Sequence, residues 1–207
     1  MVGRPQKRTR ETRDRILAEA ARLFSSQGFE ATSVDAIAEA AGVAKATVFA
    51  HFADKTSLLI AARTADLEQL EVAMRAHVAR TPIGETRDYI AGIFRPWLAL
   101  YRSDPDFARL YLVQSTLRDG PWTRLFLGVC QAMEECALEG FRRLSREGRL
   151  VRGANPDLLA QGVLAFFYHM IVGHSLGTLA GEDAQLALFD GLLAAWLSTG
   201  AAEAQDV

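Results

Sequence analysis

The sequence predicts an all-α fold of about nine helices. Three observations carry that reading. Apolar residues recur at helical spacing along nearly the whole chain, and no stretch alternates cleanly at period two. Gly and Pro fall between the periodic stretches. Of the 207 residues, 50% are hydrophobic and 23% charged, enough to fill a sizeable core without covalent staples.

The first helix is expected over 12–27, with Ile16, Leu17, Ala20, Ala21, Leu23 and Phe24 on its apolar face. Gly28 suits the left-handed position that ends a helix, and Phe29 can fold back on the last turn. Ser33 reads as the N-cap of a short second helix, with Thr32 as the rival cap and Asp35 at the positive dipole end. Val34, Ile37, Ala38 and Ala41 face inward there, and Gly42 ends it after about two turns. A third short helix opens at Lys45 and ends near Phe52. Asp54 then caps a long fourth helix over 55–79. Two helices this short are marginal alone and must pack on the first helix and on each other.

Proline punctuates the rest. A fifth helix is expected over 85–102 with Pro96 as a kink, a sixth over 105–117, and a seventh over 121–147 ended by Gly148. Asn155 and Pro156 open an eighth, reaching about 180, and the ninth spans 183–198 before a loose tail. Between Leu158 and Gly181 there is no Asp, Glu, Lys or Arg. A helix apolar all round is buried all round or spans a membrane. Gln161, His169, His174, Ser175 and Thr178 lower its hydrophobicity, which favours packing on its own chain and on a second copy, with Gly162, Gly173 and Gly177 permitting close approach.

Charge is unevenly spread. Residues 1–63 hold ten Lys and Arg against seven Asp and Glu, and the remainder thirteen against eighteen. Six of the basic residues precede position 16: Arg4, Lys7, Arg8, Arg10, Arg13 and Arg15. A basic arm on an acidic body suits a polyanion met at one end, although a solvated terminus has the same composition. The opening MVGRPQKRTR lacks the apolar region of a secretory signal. Cys130 and Cys136 have neither disulfide-framework nor CxxC spacing and suit a reducing cytoplasm. His169 and His174, five apart, are wrongly spaced for a shared metal. No catalytic triad, metal cluster or phosphate loop is visible, so no enzyme activity and no cofactor are expected.

Helix, Gly-containing tight turn, helix is the helix-turn-helix unit, whose second helix can enter a DNA major groove. The stretch TRDRILAEAARLFSSQGFEATSVDAIAEAAGVAKATVFAHFADKTSLL, residues 12–59, closely resembles the DNA-binding domain of the TetR family of transcriptional regulators. The likeness is gapless through the Gly-Phe corner, T-S-V-x-x-I-A, A-G-V, T-x-F-x-H-F and the following lysine. Ala44 stands where the family often has Ser, Phe49 where Tyr is commoner, Thr56 where Glu is usual, and Ala50 where many members carry a long polar side chain.

Candidate DNA contacts follow. Lys45 can reach a phosphate or a guanine edge, and Thr47 a base edge, a phosphate or a thymine methyl. Ala50 offers only an apolar contact, and Phe49 lacks a hydroxyl. His51 and Lys55 resemble the family's backbone-contacting positions, and Thr32 and Ser33 flank another helix start. The resemblance implies residues 1–55 as the DNA-binding domain and 56–207 as the effector-binding and dimerisation domain. It also implies a cytoplasmic homodimer through the last two helices, a near-palindromic double-stranded operator, and release by a small apolar or amphipathic molecule. The expected pocket residues are Trp97, Tyr101, Phe126, Met133, Phe166, His169 and Met170, with a cleft beside Pro96, although aromatic residues at helical spacing are more often core than pocket. The expected interface residues are Leu176, Leu192, Leu193 and Trp196.

Overall fold

The computed structural model describes residues 4–113, 116–179 and 181–202. Among them are ten α-helices and no strand. They form two compact units: the chain up to Leu67 with Thr116–Leu127, and Glu68 to 115 with Gly128 onward.

In the first unit, α1 (Arg4–Gln27) packs on α2 (Val34–Ala40), α3 (Lys45–His51) and α4 (Lys55–Ala62). It begins eight residues before the expected start, because no helix breaker lies between Pro5, tolerated in a first turn, and Gly28. Ile16, Ala20, Leu23 and Phe24 are buried while Ala21 is exposed, so the apolar stripe is narrower than expected. Gly28 ends α1 at φ 82°, its N–H donating to the Phe24 carbonyl at 2.9 Å, and Phe29 folds back with its ring 5.4 Å from that of Phe24. Ser33 caps α2, its Oγ accepting from the Ala36 N–H at 3.0 Å. Gly42, at φ 64°, turns the chain into α3, whose N-cap position, Ala44, supplies no side-chain hydrogen bond. Phe52 closes the corner, buried and 5.8 Å from the Trp122 ring.

The long helix expected over 55–79 is two helices. Arg63 leaves helical geometry at φ −101°, ψ 3°, and α5 (Thr64–Arg80) begins after it. The Arg63 N–H is shared between the Leu59 and Ile60 carbonyls, and the Thr64 hydroxyl bonds back to Ile60 O at 3.3 Å. Such back-bonding competes with the helical ladder.

The second unit contains the rest of α5, α6 (Thr86–Ser103), α7 (Pro105–Leu112), most of α8 (Pro121–Arg146), α9 (Pro156–Ser175) and α10 (Glu182–Ala202). α6, α7, α9 and α10 pack together around Phe94, whose ring lies 5.3 Å from Phe167 and 5.8 Å from Phe189. Arg143 closes the end of α5 by donating to the Val78 and Thr81 carbonyls at 2.8 and 3.0 Å. Arg95 ties α6 to α10 through both Asp190 oxygens at 3.0 Å.

Two helices stop early. α7 ends at Leu112 rather than 117. α9 ends at Ser175 because Gly177 turns left-handed at φ 73° and the Thr178 and Leu179 N–H groups return to the Gly173 carbonyl. The glycines of α9 receive side chains of their own chain. A Cβ at Gly173 would meet Leu179 at 2.5 Å, and one at Gly162 would meet the Trp196 indole at 2.5 Å. That indole is held by its N–H to the Leu159 carbonyl at 3.2 Å. Gly162→Ala is therefore expected to lower stability by about 1–3 kcal/mol, read as a lower urea midpoint with unchanged slope.

Candidate DNA interface and effector site

The exposed face of α3 follows from its packing. Val48 is the buried residue of that helix, which leaves Lys45, Phe49 and Ala50 exposed and Thr47 and His51 half-exposed. Phe49, at 45% exposure, presents an aromatic ring to solvent. Lys45 pairs with Asp35 of α2 at 2.8 Å, both exposed. Such a pair contributes under about 1 kcal/mol, so the ammonium can exchange a carboxylate for a phosphate at small cost.

Two of the expected contacts face inward. Thr32 is 1% exposed, and its hydroxyl donates to the carbonyls of Gly28 at 2.7 Å and Leu23 at 3.3 Å. It fastens the corner between α1 and α2, because closing that corner leaves carbonyls that need a donor. Ser33 is exposed but spends its oxygen on the cap. Lys55 reaches across the same corner. Its ammonium donates to Phe29 O at 2.6 Å, Thr32 O at 2.9 Å and Glu30 O at 3.4 Å, and sits 4.2 Å above the Phe29 ring. All three of its donors are committed.

A cationic groove, lined by two residues of the basic arm, lies beside His51. Arg10 and Arg13 of α1 line it with Thr9, Ala50 and Trp122. The i, i+3 spacing of Arg10 and Arg13 was the available signal, since it puts both on one helix face.

The expected effector residues do not form one group. Trp97, Tyr101, Met133 and Met170 are fully buried in the second unit. Trp97 and Tyr101 meet edge to face at 5.3 Å, and Phe107, Tyr111 and Phe167 complete the aromatic cluster. Phe126 is buried but belongs to the first unit. Phe166 packs against Trp196 at 5.7 Å, and His169 is exposed. The inward face of α9 is Val163, Phe167, Met170 and Ile171, and His169 falls off that phase. The Tyr101 hydroxyl is buried with no hydrogen-bond partner among the described residues, and burial pushes its pKa well up. Leaving such a hydroxyl unpaired costs about 1–3 kcal/mol. Burial also raises the pKa of the Cys130 and Cys136 thiols, which keeps them protonated and unreactive.

Of the expected interface residues, Leu176 is 73% exposed and Leu192 half-buried. Leu193 is fully buried within its own chain, and Trp196 is largely occupied by Gly162, Leu159 and Phe166. The sequence set these two in an interface because the last helix is apolar on all sides and its phase is hidden.

Residues 16–62 match the model of the bacterial regulatory proteins, tetR family. The chain is 32% identical to the HTH-type transcriptional regulator TcmR of Streptomyces glaucescens over 140 residues, 59% of this chain and 62% of that protein. It is 34% identical to the HTH-type transcriptional repressor Rv1474c of Mycobacterium tuberculosis over 183 residues, 84% and 85% of the two chains. The crystal structure of the transcriptional regulator FadR from Bacillus subtilis in complex with stearoyl-CoA superposes with a TM-score of 0.64 at 16% identity, covering 89% of this chain and 97% of that one.

Proposed function

Since this chain belongs to the TetR family of bacterial regulatory proteins, we propose that it is a transcriptional repressor that binds a near-palindromic DNA operator as a homodimer and is released by a small apolar or amphipathic effector. The observation that carries this reading is the exposed face of α3, presented on a corner fastened from within by Thr32, Ser33 and Lys55. Lys45, Thr47, Phe49, Ala50 and His51 meet the major groove, and Arg10 and Arg13 extend the cationic surface to the neighbouring backbone. Thr32 and Lys55 act as positioning residues. The FadR neighbour, solved with stearoyl-CoA, supports an effector role for the C-terminal domain, 56–207, as against the DNA-binding residues 1–55.

The second copy is assigned to α9 and α10. α9 is long and apolar enough to cross a membrane, with a mean hydropathy of 1.3, yet only a third of that window is buried within the chain. Leu176, Leu192 and the exposed Tyr168 supply apolar surface for a partner helix pair. A cytoplasmic, non-enzymatic regulator without cofactor or metal accounts for these features, and detergent-free solubility separates it from a membrane-anchored one.

Selecting fragments of the source genome bound by the purified protein tests the reading and yields the operator. Absence of any enriched, salt-sensitive fragment rejects it. On the selected fragment, Lys45→Ala is expected to make the salt dependence of binding shallower by about one unit, as for one lost phosphate contact. An unchanged slope would leave Lys45 with Asp35.

A further inference from the structure

We infer that the second unit takes an uncharged, chiefly apolar effector that offers one carbonyl-type hydrogen-bond acceptor to the hydroxyl of Tyr101. The inference rests on the effector-responsive reading above and narrows its chemistry. Tyr101 is 2% exposed, and its hydroxyl is unpartnered among the described residues. Its ring stands among those of Trp97, Phe107, Tyr111 and Phe167, with centroids 5.3 to 6.1 Å away. A buried tyrosine hydroxyl ordinarily has a partner, and an orphan in such a place marks where a ligand atom is received. Burial keeps this hydroxyl protonated, so it donates and needs an acceptor.

The adjacent donor is underused as well. Trp97 Nε1 donates to the Met74 sulfur at 2.7 Å, and a thioether is a weak acceptor. Charge is excluded by the same surroundings. Apart from tyrosine, tryptophan and cysteine, the buried polar side chains among the described residues are Thr32, Ser57, Thr123 and Gln185, and of these Gln185 alone is in the second unit. Among the described residues no Asp, Glu, Lys or Arg is fully buried there, so an ionised ligand enclosed in that core would lose its hydration without an equally buried counter-charge. Met74, Met133 and Met170, all the methionines beyond the first residue, are buried in this unit. Their flexible thioethers yield to an incoming apolar body more readily than branched side chains do.

Tyr101→Phe keeps the ring and deletes the hydroxyl. Wild type and variant are titrated with matched pairs, fluorenone with fluorene and flavone with 2-phenylnaphthalene, by thermal shift and intrinsic fluorescence. The wild type is expected to prefer the ketone of each pair by roughly ten-fold, and the variant by less than about two-fold, with hydrocarbon affinity unchanged. Without ligand the variant is expected to melt at or above the wild-type temperature. A lower melting temperature would show that the hydroxyl already has a partner and overturn the inference. So would a ketone preference that survives in the variant, or binding by no member of either pair. Release of the selected DNA fragment by a fatty acid anion such as oleate, equal in both proteins, would overturn this inference and leave the effector-responsive reading standing. Release by no compound of any class would overturn that reading itself.

Discussion

Lys55→Ala is expected to lower the melting temperature by about 5 °C and to weaken operator binding at least about ten-fold, with the salt dependence of binding unchanged. The ammonium gathers three carbonyls of the turn between α1 and α2, at 2.6, 2.9 and 3.4 Å, and lies over the Phe29 ring. Charge-assisted hydrogen bonds of this kind contribute about 1.5–3 kcal/mol, and the carbonyls left behind find only partial solvation. The helix α2 that the turn delivers braces α3, so its loss loosens the DNA-facing surface without removing a phosphate contact. Thermal melts with binding isotherms at several salt concentrations separate the two roles. A slope shallower by one unit with unchanged stability would put Lys55 on a phosphate.

Leu193→Asp is expected to unfold the second unit, whereas Leu176→Asp is expected to leave each protomer folded and dissociate the pair. Leu193 is fully buried, and an unpaired carboxylate there costs several kcal/mol of a total stability of about 5–15 kcal/mol. Leu176 is 73% exposed at the end of α9, so a charge there is solvated in the lone protomer and desolvated only against a partner. Circular dichroism and sedimentation at micromolar concentration distinguish the outcomes. A folded Leu193→Asp variant would mean that its surroundings readily admit water. A dimeric Leu176→Asp variant would move the interface away from that end of α9.

The corner of α1 to α4 was legible in the sequence because its determinants are local. Gly28, Ser33, Gly42 and Asp54 are cap and turn residues whose chemistry acts within four positions. What Lys55 holds was not legible, because the carbonyls lie 23 to 26 residues earlier and only the closed corner brings them together. The break at Arg63 was hidden for another reason: it uses a shared N–H and a threonine hydroxyl, with no Gly or Pro to announce it. α9 and α10 were recognised as helices but not oriented. A helix whose residues are apolar on every side carries no phase, so His169, Leu193 and Trp196 could not be assigned to a face until packing chose one.

The first unit is discontinuous along the chain, since Thr116–Leu127 joins it from far beyond Leu67 and brings Trp122 to within 5.8 Å of the Phe52 ring. Grafting the DNA-reading head of this protein onto another sensor is therefore a two-segment operation. A chimera spliced at a single junction near residue 67 inherits the recognition helix but leaves behind the aromatic ring against Phe52, the residue that follows it. It also loses the tryptophan wall of the groove that holds Arg10 and Arg13. Reader and sensor are interchangeable parts only if the chain crosses over three times: after Leu67, before Thr116 and after Leu127.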